Sequence, residues 1–120
     1  MSIFRVNVVA INPVEENRRT PPIEAIVDTG SEFTWLPGSL LAEAGITPRR
    51  KAAFHTATHE TVEREVGYAI VQTEGLEAID QLVFALPGDM TLLGVHTLEG
   101  FGVAVDPIAH RFIVTPILVA

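Results

Sequence analysis

A carboxylate set between two apolar runs is the group in this chain best suited to chemistry. Asp28 directly follows Ala25-Ile26-Val27, and apolar residues resume at Phe33. A carboxylate in such surroundings needs hydrogen-bond partners. The backbone amide of Gly30 and the hydroxyls of Thr29 and Ser31 are candidate donors. The segment allows two interpretations. It is either a simple turn between two strands or a functional carboxylate whose charge is stabilised by hydrogen bonds from the turn.

Histidines and Ser31 offer two competing chemistries. His55 and His59 are four residues apart, a spacing that brings two ligands to one metal ion on a helix. Their surroundings are β-branched and rich in threonine, which predicts a hairpin in which the two side chains lie far apart. Ser31 lacks a Gly-x-Ser-x-Gly nucleophile elbow, and no histidine is placed by sequence to activate it. We expect no metal site and no cofactor, and we interpret Ser31 as a donor to Asp28.

The elements that must position Asp28 are mostly strands. Apolar residues after Ser39 predict one short helix over 40–44, with Ser39 near its N-cap and Gly45 just past its end. A hairpin with its tip at Thr58-His59-Glu60 is expected between two of the strands. The predicted strands are Arg5–Ile11, Ile23–Val27, Phe33–Leu36, Ala52–Ala57, Thr61–Val71, Gln81–Leu86, Phe101–Val105 and Arg111–Val119. No repeat or change of composition divides residues 1–120, so a single domain is expected.

Composition excludes several classes of partner. The 120 residues, 48% of them hydrophobic, suffice for one core. Eight basic against fifteen acidic residues give a net charge of −7, which repels nucleic acid. The absence of cysteine removes disulfides, thiolate zinc sites and cysteine nucleophiles. No apolar run approaches the roughly 18 residues of a membrane span, and the start lacks a signal-peptide pattern. A cytoplasmic protein that binds neither nucleic acid nor membrane is expected.

From about Ile23 to Val114 the order of elements resembles a retropepsin-like aspartic protease: strand, Asp-Thr-Gly-Ser, apolar strand, helix, hairpin, then Leu-Leu-Gly. The stretch from Leu92 to Pro107 is similar to the small bacterial and archaeal single-domain branch of that family. The resemblance implies a closed or partly open β-barrel with one short helix and a flap hairpin. It also implies a peptidase that needs no cofactor.

The same resemblance assigns the site residues. Asp28, with Thr29 and Gly30, corresponds to the catalytic motif of the family. The supporting residues are Ser31, Leu92, Leu93 and Gly94, the last three buttressing the active-site turn from below. The expected flap and substrate-binding residues are Ala57, Thr58, His59 and Glu60.

Peptide hydrolysis of this kind requires two carboxyl groups that share one proton. The remaining aspartates, Asp80, Asp89 and Asp106, are not followed by Thr-Gly. The second carboxylate must therefore come from a second copy of the chain across a two-fold axis. We predict a homodimer that acts on polypeptides. The apolar segment Ile113–Ala120 is predicted to be a terminal strand that the partner covers, and the family resemblance implies interleaved termini.

One departure from the family concerns the flap. Retroviral members have a glycine-rich flap tip, whereas here the tip is Thr58-His59-Glu60 and the nearest glycine is Gly67. An alternative function is therefore an inactive dimerisation or peptide-binding module with the same fold. The complete motif at Asp28 favours the enzyme, because a pure module has no need of a charge that costs free energy at a dimer axis.

Overall fold

The structure, a computed structural model, describes residues 3–116 and 119. The strands are β1 (Arg5–Ile11), β2 (Ile23–Val27), β3 (Thr34–Pro37), β4 (Pro48–His55), β5 (Thr61–Thr73), β6 (Leu76–Ala85), β7 (Leu92–Leu93), β8 (Val103–Asp106) and β9 (Arg111–Val114), and the helices are α1 (Gly38–Glu43) and α2 (Val95–Phe101). The expected mostly-β fold is confirmed. Within the described part of the chain, no helix has the length and apolar character needed to cross a membrane.

Six strands form a closed ring in the order β1-β2-β7-β3-β6-β5, which returns to β1. Strand β1 closes this barrel because its first half pairs with β2 and its second half, Val9–Ile11, pairs with β5. Strand β4 extends β5 outward as a long hairpin, and β8 and β9 form a separate two-stranded sheet. The short β7 lies between β2 and β3 and is parallel to β2. This insertion brings Leu92 and Leu93 beside the strand that carries Asp28.

The barrel is filled by alternate residues of its strands. In β1 the side chains of Val6, Val8 and Ala10 are buried while their neighbours Arg5 and Asn7 are exposed, as the period of two requires. The fully buried large side chains of the core are Val8, Ile11, Leu36, Leu41, Val66, Val71, Leu82, Val83 and Leu93. The barrel interior is therefore a packed core, and any binding site must lie at its surface.

Strand β1 ends at Ile11, directly before Asn12, as the Asn12-Pro13 turn dipeptide indicates. The Asn12 side-chain oxygen accepts hydrogen bonds from the N–H groups of Val14 and Glu15, at 2.9 and 3.0 Å. Its side-chain amide donates to the carbonyl of Ala44, just after α1, at 3.1 Å. A buried asparagine thus turns the chain out of the barrel and also holds the end of the first helix.

Two helix predictions require correction. The described residues form two helices rather than the one predicted, because residues 95–101 form α2. The sequence hid this helix, since it is short and contains Gly100, a poor helix former; only Gly102, with φ of 75°, marks its end. Helix α1 begins at Gly38 with Pro37 at the N-cap and no side-chain cap, so Ser39 lies inside the helix and does not cap it.

Several strand boundaries also differ from the predictions, three of them by at least four residues. Strand β4 starts at Pro48 and includes Arg49, Arg50 and Lys51, since a strand at a sheet edge tolerates exposed charges. Strand β6 starts at Leu76, well before the predicted Gln81. The last described strand, β9, ends at Val114. The rest of the predicted terminal strand includes Ile117, Leu118 and Ala120, which lie outside the described residues.

Candidate active site

Asp28 lies at the carboxyl end of β2, where the chain leaves the barrel. Its backbone N–H donates to the Leu93 carbonyl at 3.0 Å, continuing the parallel pairing of β2 with β7. The preceding N–H, of Val27, donates to the Phe4 carbonyl at 2.8 Å. The turn then closes with the Ser31 N–H donating to the Asp28 carbonyl at 3.2 Å. The backbone on both sides of the carboxylate is therefore held by hydrogen bonds.

The carboxylate of Asp28 receives one hydrogen bond from its own turn. The Gly30 N–H donates to Asp28 Oδ1 at 2.9 Å. A Cβ at position 30 would stand 3.2 Å from that same oxygen, closer than ordinary contact, so glycine suits this approach. Thr29 is exposed beside it. Ser31 does not donate to the carboxylate as predicted, because its hydroxyl donates to the Phe33 carbonyl at 2.8 Å.

The turn is supported from below by β7 and the start of α2. Gly94 packs so tightly that a Cβ there would lie 2.4 Å from the backbone of Phe33, which excludes every other residue without a shift of the chain. The N–H of Val95 donates to the Ser31 carbonyl at 2.8 Å, and the N–H of His96 donates to the Glu32 carbonyl at 3.0 Å. The structure therefore brings Leu92, Leu93 and Gly94 together with the Asp28 turn.

A cleft of about 740 Å³ opens beside Asp28. It lies between the turn and strand β4, and its lining comprises Asp28, Gly30, Ser31, Glu32, Phe33, Trp35, Arg50, Ala52, Ala53, Phe54, His55, Thr56 and Ala57. Its dimensions suit a peptide-sized ligand. One wall is apolar and the rim carries both signs of charge.

The apolar wall is an aromatic cluster that the sequence analysis missed. The Phe54 ring lies 5.2 Å from that of Trp35 and 5.9 Å from that of Phe33, both in edge-to-face contacts. Trp35 is only half-buried and lines the cleft. Strand alternation was the available signal: Thr34 and Leu36 are buried, so Phe33 and Trp35 must lie on the opposite face.

The hairpin tip forms a closed turn without glycine. The Thr56 N–H donates to the Glu60 carbonyl at 2.8 Å, and the His59 N–H donates to the Thr56 carbonyl at 3.0 Å. His59 takes the left-handed conformation, with φ of 64°, that glycine would adopt most easily. Of the four predicted flap residues, Ala57 lines the cleft, whereas Thr58, His59 and Glu60 are exposed at the tip and are not part of its lining.

The base of the hairpin is fixed to the barrel by an ion pair. Arg64 on β5 donates two hydrogen bonds to the Asp89 carboxylate, at 2.7 and 2.9 Å. The two side chains are 15% and 18% exposed, so the pair is largely shielded from water. The hydrogen bonds from Arg64 lower the pKa of Asp89 from its usual 3.8, assisted by the Leu86 N–H. The hairpin thus has an anchored base and a free, exposed tip.

The histidines do not assemble a metal site. His55 Nδ1 lies 3.3 Å from the Thr61 hydroxyl across the hairpin, and His59 lies at the tip. Across residues 3–116 and 119, no group of three or more His, Asp or Glu side chains is placed to hold a metal ion. The cleft instead presents two carboxylates of this chain, Asp28 in the Asp-Thr-Gly turn and the exposed Glu32.

The barrel, the Asp-Thr-Gly turn and its support from β7 define the class of protein expected from the sequence, a retropepsin-like aspartic protease. The family model of gag-polyprotein putative aspartyl proteases matches residues 13–100, and the chain belongs to this family. A retropepsin-like aspartic protease from Rickettsia conorii is similar in structure, with 20% identity and a TM-score of 0.47 over 87% of this chain and 84% of that chain. No curated protein matches the sequence.

Proposed function

We propose that the chain is an aspartic endopeptidase that acts as a symmetric homodimer, with one Asp28 from each subunit. The observation that carries this proposal is the state of the Asp28 carboxylate at the cleft. Its Oδ1 accepts the Gly30 N–H, and within the described residues its Oδ2 accepts no hydrogen bond. One oxygen is therefore oriented by the turn and the other is available to a water molecule or to a second carboxyl group.

The other aspartates of the chain are already engaged elsewhere. Asp89 is paired with Arg64, and Asp106 accepts the N–H groups of Ile108 and Ala109 in a surface turn. Asp80 accepts the hydroxyl of Thr97. None of these aspartates lines the cleft, and the other carboxylate there, Glu32, is not followed by Thr-Gly. We therefore assign the second carboxyl of the catalytic pair to the Asp28 of another copy of the chain.

The reaction needs no group beyond the two carboxyls and water. The ionised Asp28 takes a proton from water as the water oxygen bonds to the peptide carbonyl carbon, while the protonated Asp28 donates its proton to the carbonyl oxygen. The resulting tetrahedral intermediate collapses as the C–N bond breaks. The leaving nitrogen takes the proton from the carboxyl that had accepted it from water, and a hydroxyl of the intermediate gives its proton to the other carboxylate, so the pair again holds one proton. Two carboxyls this close cannot both be ionised, which keeps one of them protonated.

The pH dependence of cleavage tests the proposal. Two Asp28 carboxyls with one proton predict a bell-shaped rate profile with its maximum below pH 7. The Arg64–Asp89 pair adds a separate effect on stability: because the pKa of Asp89 is lowered, its stabilisation is present at higher pH and is lost as pH falls through a value below 3.8. Cleavage of a peptide library is measured from pH 3 to 9. A rate still rising at pH 9, or one abolished by a chelator, would contradict the aspartic mechanism.

We further propose that the hairpin of β4 and β5 is a flap that closes over the bound peptide and excludes water. Its tip is exposed and polar, while its base is anchored through Arg64. Amide hydrogens of residues 55–61 should exchange faster than those of Ile23–Val27 in the free protein. A statine-type inhibitor should slow exchange at the tip, as measured by mass spectrometry. Equal protection of both segments in the free protein would argue against a lid.

The closed, glycine-free tip supports one alternative function. His59 and the paired Thr56 and Thr58 hydroxyls, 2.9 Å apart, occupy the tip with internal hydrogen bonds. Fewer tip groups then remain to hold the backbone of a substrate in place for cleavage. This suits a module that binds peptide without turnover. Such a module would bind peptide with the same affinity whether position 28 is Asp or Asn, and it would cleave nothing.

A further inference from the structure

A line of hydrogen bonds connects the support of the Asp28 turn to a carboxylate away from the cleft. The Gly94 N–H donates to Thr34 Oγ1 at 2.9 Å, and Thr34 Oγ1 lies 2.6 Å from Thr97 Oγ1. The Thr97 hydroxyl donates to Asp80 Oδ2 at 2.8 Å. Both threonines are fully buried, and they join β7, β3, α2 and β6. This buried network is not explained by packing alone, because apolar side chains would fill the same volume.

Only one arrangement of protons satisfies this network. A backbone amide can only donate, and a carboxylate can only accept. Thr97 uses its single hydroxyl proton on Asp80, so the Thr34 hydroxyl donates to Thr97 while it accepts the Gly94 N–H. The other oxygen of Asp80 accepts the Gln81 N–H at 2.7 Å. All donors point toward Asp80, and hydrogen bonds aligned in this way polarise one another.

The peptide unit between Leu93 and Gly94 links this network to the candidate catalytic residue. A peptide unit is planar, so its N–H and its C=O turn together. Here the N–H is the first donor of the network, and the C=O accepts the Asp28 N–H at 3.0 Å. A hydrogen bond that fixes the orientation of the Gly94 N–H therefore also fixes the Leu93 carbonyl, which holds the backbone of Asp28.

We propose that Asp80, Thr97 and Thr34 are positioning residues. They fix how far the Asp28 carboxylate extends toward the dimer axis. The catalytic consequence rests on the proposed function; the effect on the Asp28 backbone does not. Two carboxyls share a proton only when their oxygens stand at hydrogen-bond distance, and a displacement of about 1 Å at a reacting group costs on the order of a hundredfold in rate. The network does not line the cleft, so its loss should lower kcat and leave KM unchanged.

Kinetics of matched variants give the first test. Thr97→Val keeps the side-chain volume and removes the hydroxyl, whereas Thr97→Ser keeps the hydroxyl. Per folded protein, Thr97→Val should lower kcat by roughly tenfold with KM within about twofold, and Thr97→Ser should restore kcat. Asp80→Asn should lower kcat by about threefold, since a neutral acceptor is weaker. Glu77→Gln, the same charge change at an exposed site on the same strand, should have no effect.

Amide exchange measured by NMR gives a second test that does not require proteolysis. The Asp28 N–H should exchange roughly fivefold faster in Thr97→Val than in the unchanged protein, and Thr97→Ser should behave as the unchanged protein does. An unchanged Asp28 rate in Thr97→Val would overturn the inference. So would an equal acceleration at Val8, because that result would report general loosening of the barrel. If the unchanged protein cleaves nothing, the proposed function fails, and the exchange rates still decide the role of the network.

Discussion

Asp28→Asn is expected to abolish proteolysis and to leave the fold intact. Asparagine has the size of aspartate and its side-chain oxygen can still accept the Gly30 N–H, so the turn is preserved. A pair of amides, however, has no proton to share and no base to activate water. Cleavage should fall by roughly a thousandfold or more, the scale on which loss of a general base acts. Cleavage of an unfolded protein and circular dichroism of the same sample check both parts of this prediction.

The melting temperature of Asp28→Asn should equal or exceed that of the unchanged protein. The substitution removes the negative charge that the shared-proton pair carries at the axis, where a charge costs free energy, and it takes no volume from the core. Glu77→Gln is a suitable control because it removes one negative charge from an exposed position on β6. Cleavage by a rigorously purified Asp28→Asn protein would exclude the aspartic mechanism. Binding of peptides without cleavage by both forms would support the inactive module.

Subunit mixing should give the second large effect. If each site needs one Asp28 from each subunit, a dimer with a single Asp28→Asn subunit is inactive. Random exchange of equal amounts of the two proteins should then lower the activity per total chain to about a quarter, which is about half of the activity of the unchanged protein that was added. The activity per chain should follow the square of the fraction of unchanged chains. The measurement is cleavage rate against mixing ratio after incubation long enough for subunits to exchange.

A linear dependence on that fraction would show that one chain forms a complete site. Sedimentation at nanomolar concentration provides an independent control, since a fully active monomer would overturn the homodimer. Deletion of Pro116–Ala120, part of the segment expected to be covered by the partner, should weaken association and reduce activity at low protein concentration. Activity should recover as the concentration is raised.

The sequence predicted the barrel best where local and global signals agree. Strands β1 and β2 have the predicted boundaries because alternating apolar residues coincide with nearby turn residues. Helix α2 was missed because it contains Gly100 and because its seven residues give no helical period. The start of β6 was missed because Ile79 is 69% exposed, so the apolar pattern there does not report the core. The boundaries of edge strands and of short elements depend on contacts with residues that are distant in sequence.

In the candidate site, too, the sequence identifies some residues, whereas other contacts depend on how the strands come together in the fold. Asp28 could be found from four consecutive residues, and its support at Leu93 and Gly94 from a family motif. The contact of Phe54 with Trp35 joins two strands whose relative placement no local pattern reveals. The Ser31 hydroxyl donates to the Phe33 carbonyl and not to Asp28. This choice of acceptor likewise depends on how tightly the turn closes, which residue types alone do not specify.

The late position of β7 along the chain has a consequence for biosynthesis. The hydrogen bonds that support the Asp28 turn span 60 residues between Gly94 and Thr34 and 63 between Thr34 and Thr97. Contacts of such long range form late in folding, because closing long loops costs entropy before any contact forms. A ribosome-bound chain that has exposed Asp28 but not yet residue 97 lacks this support. On the proposed function, a nascent chain therefore lacks a supported Asp28 turn until residue 97 has been synthesised and has left the ribosome.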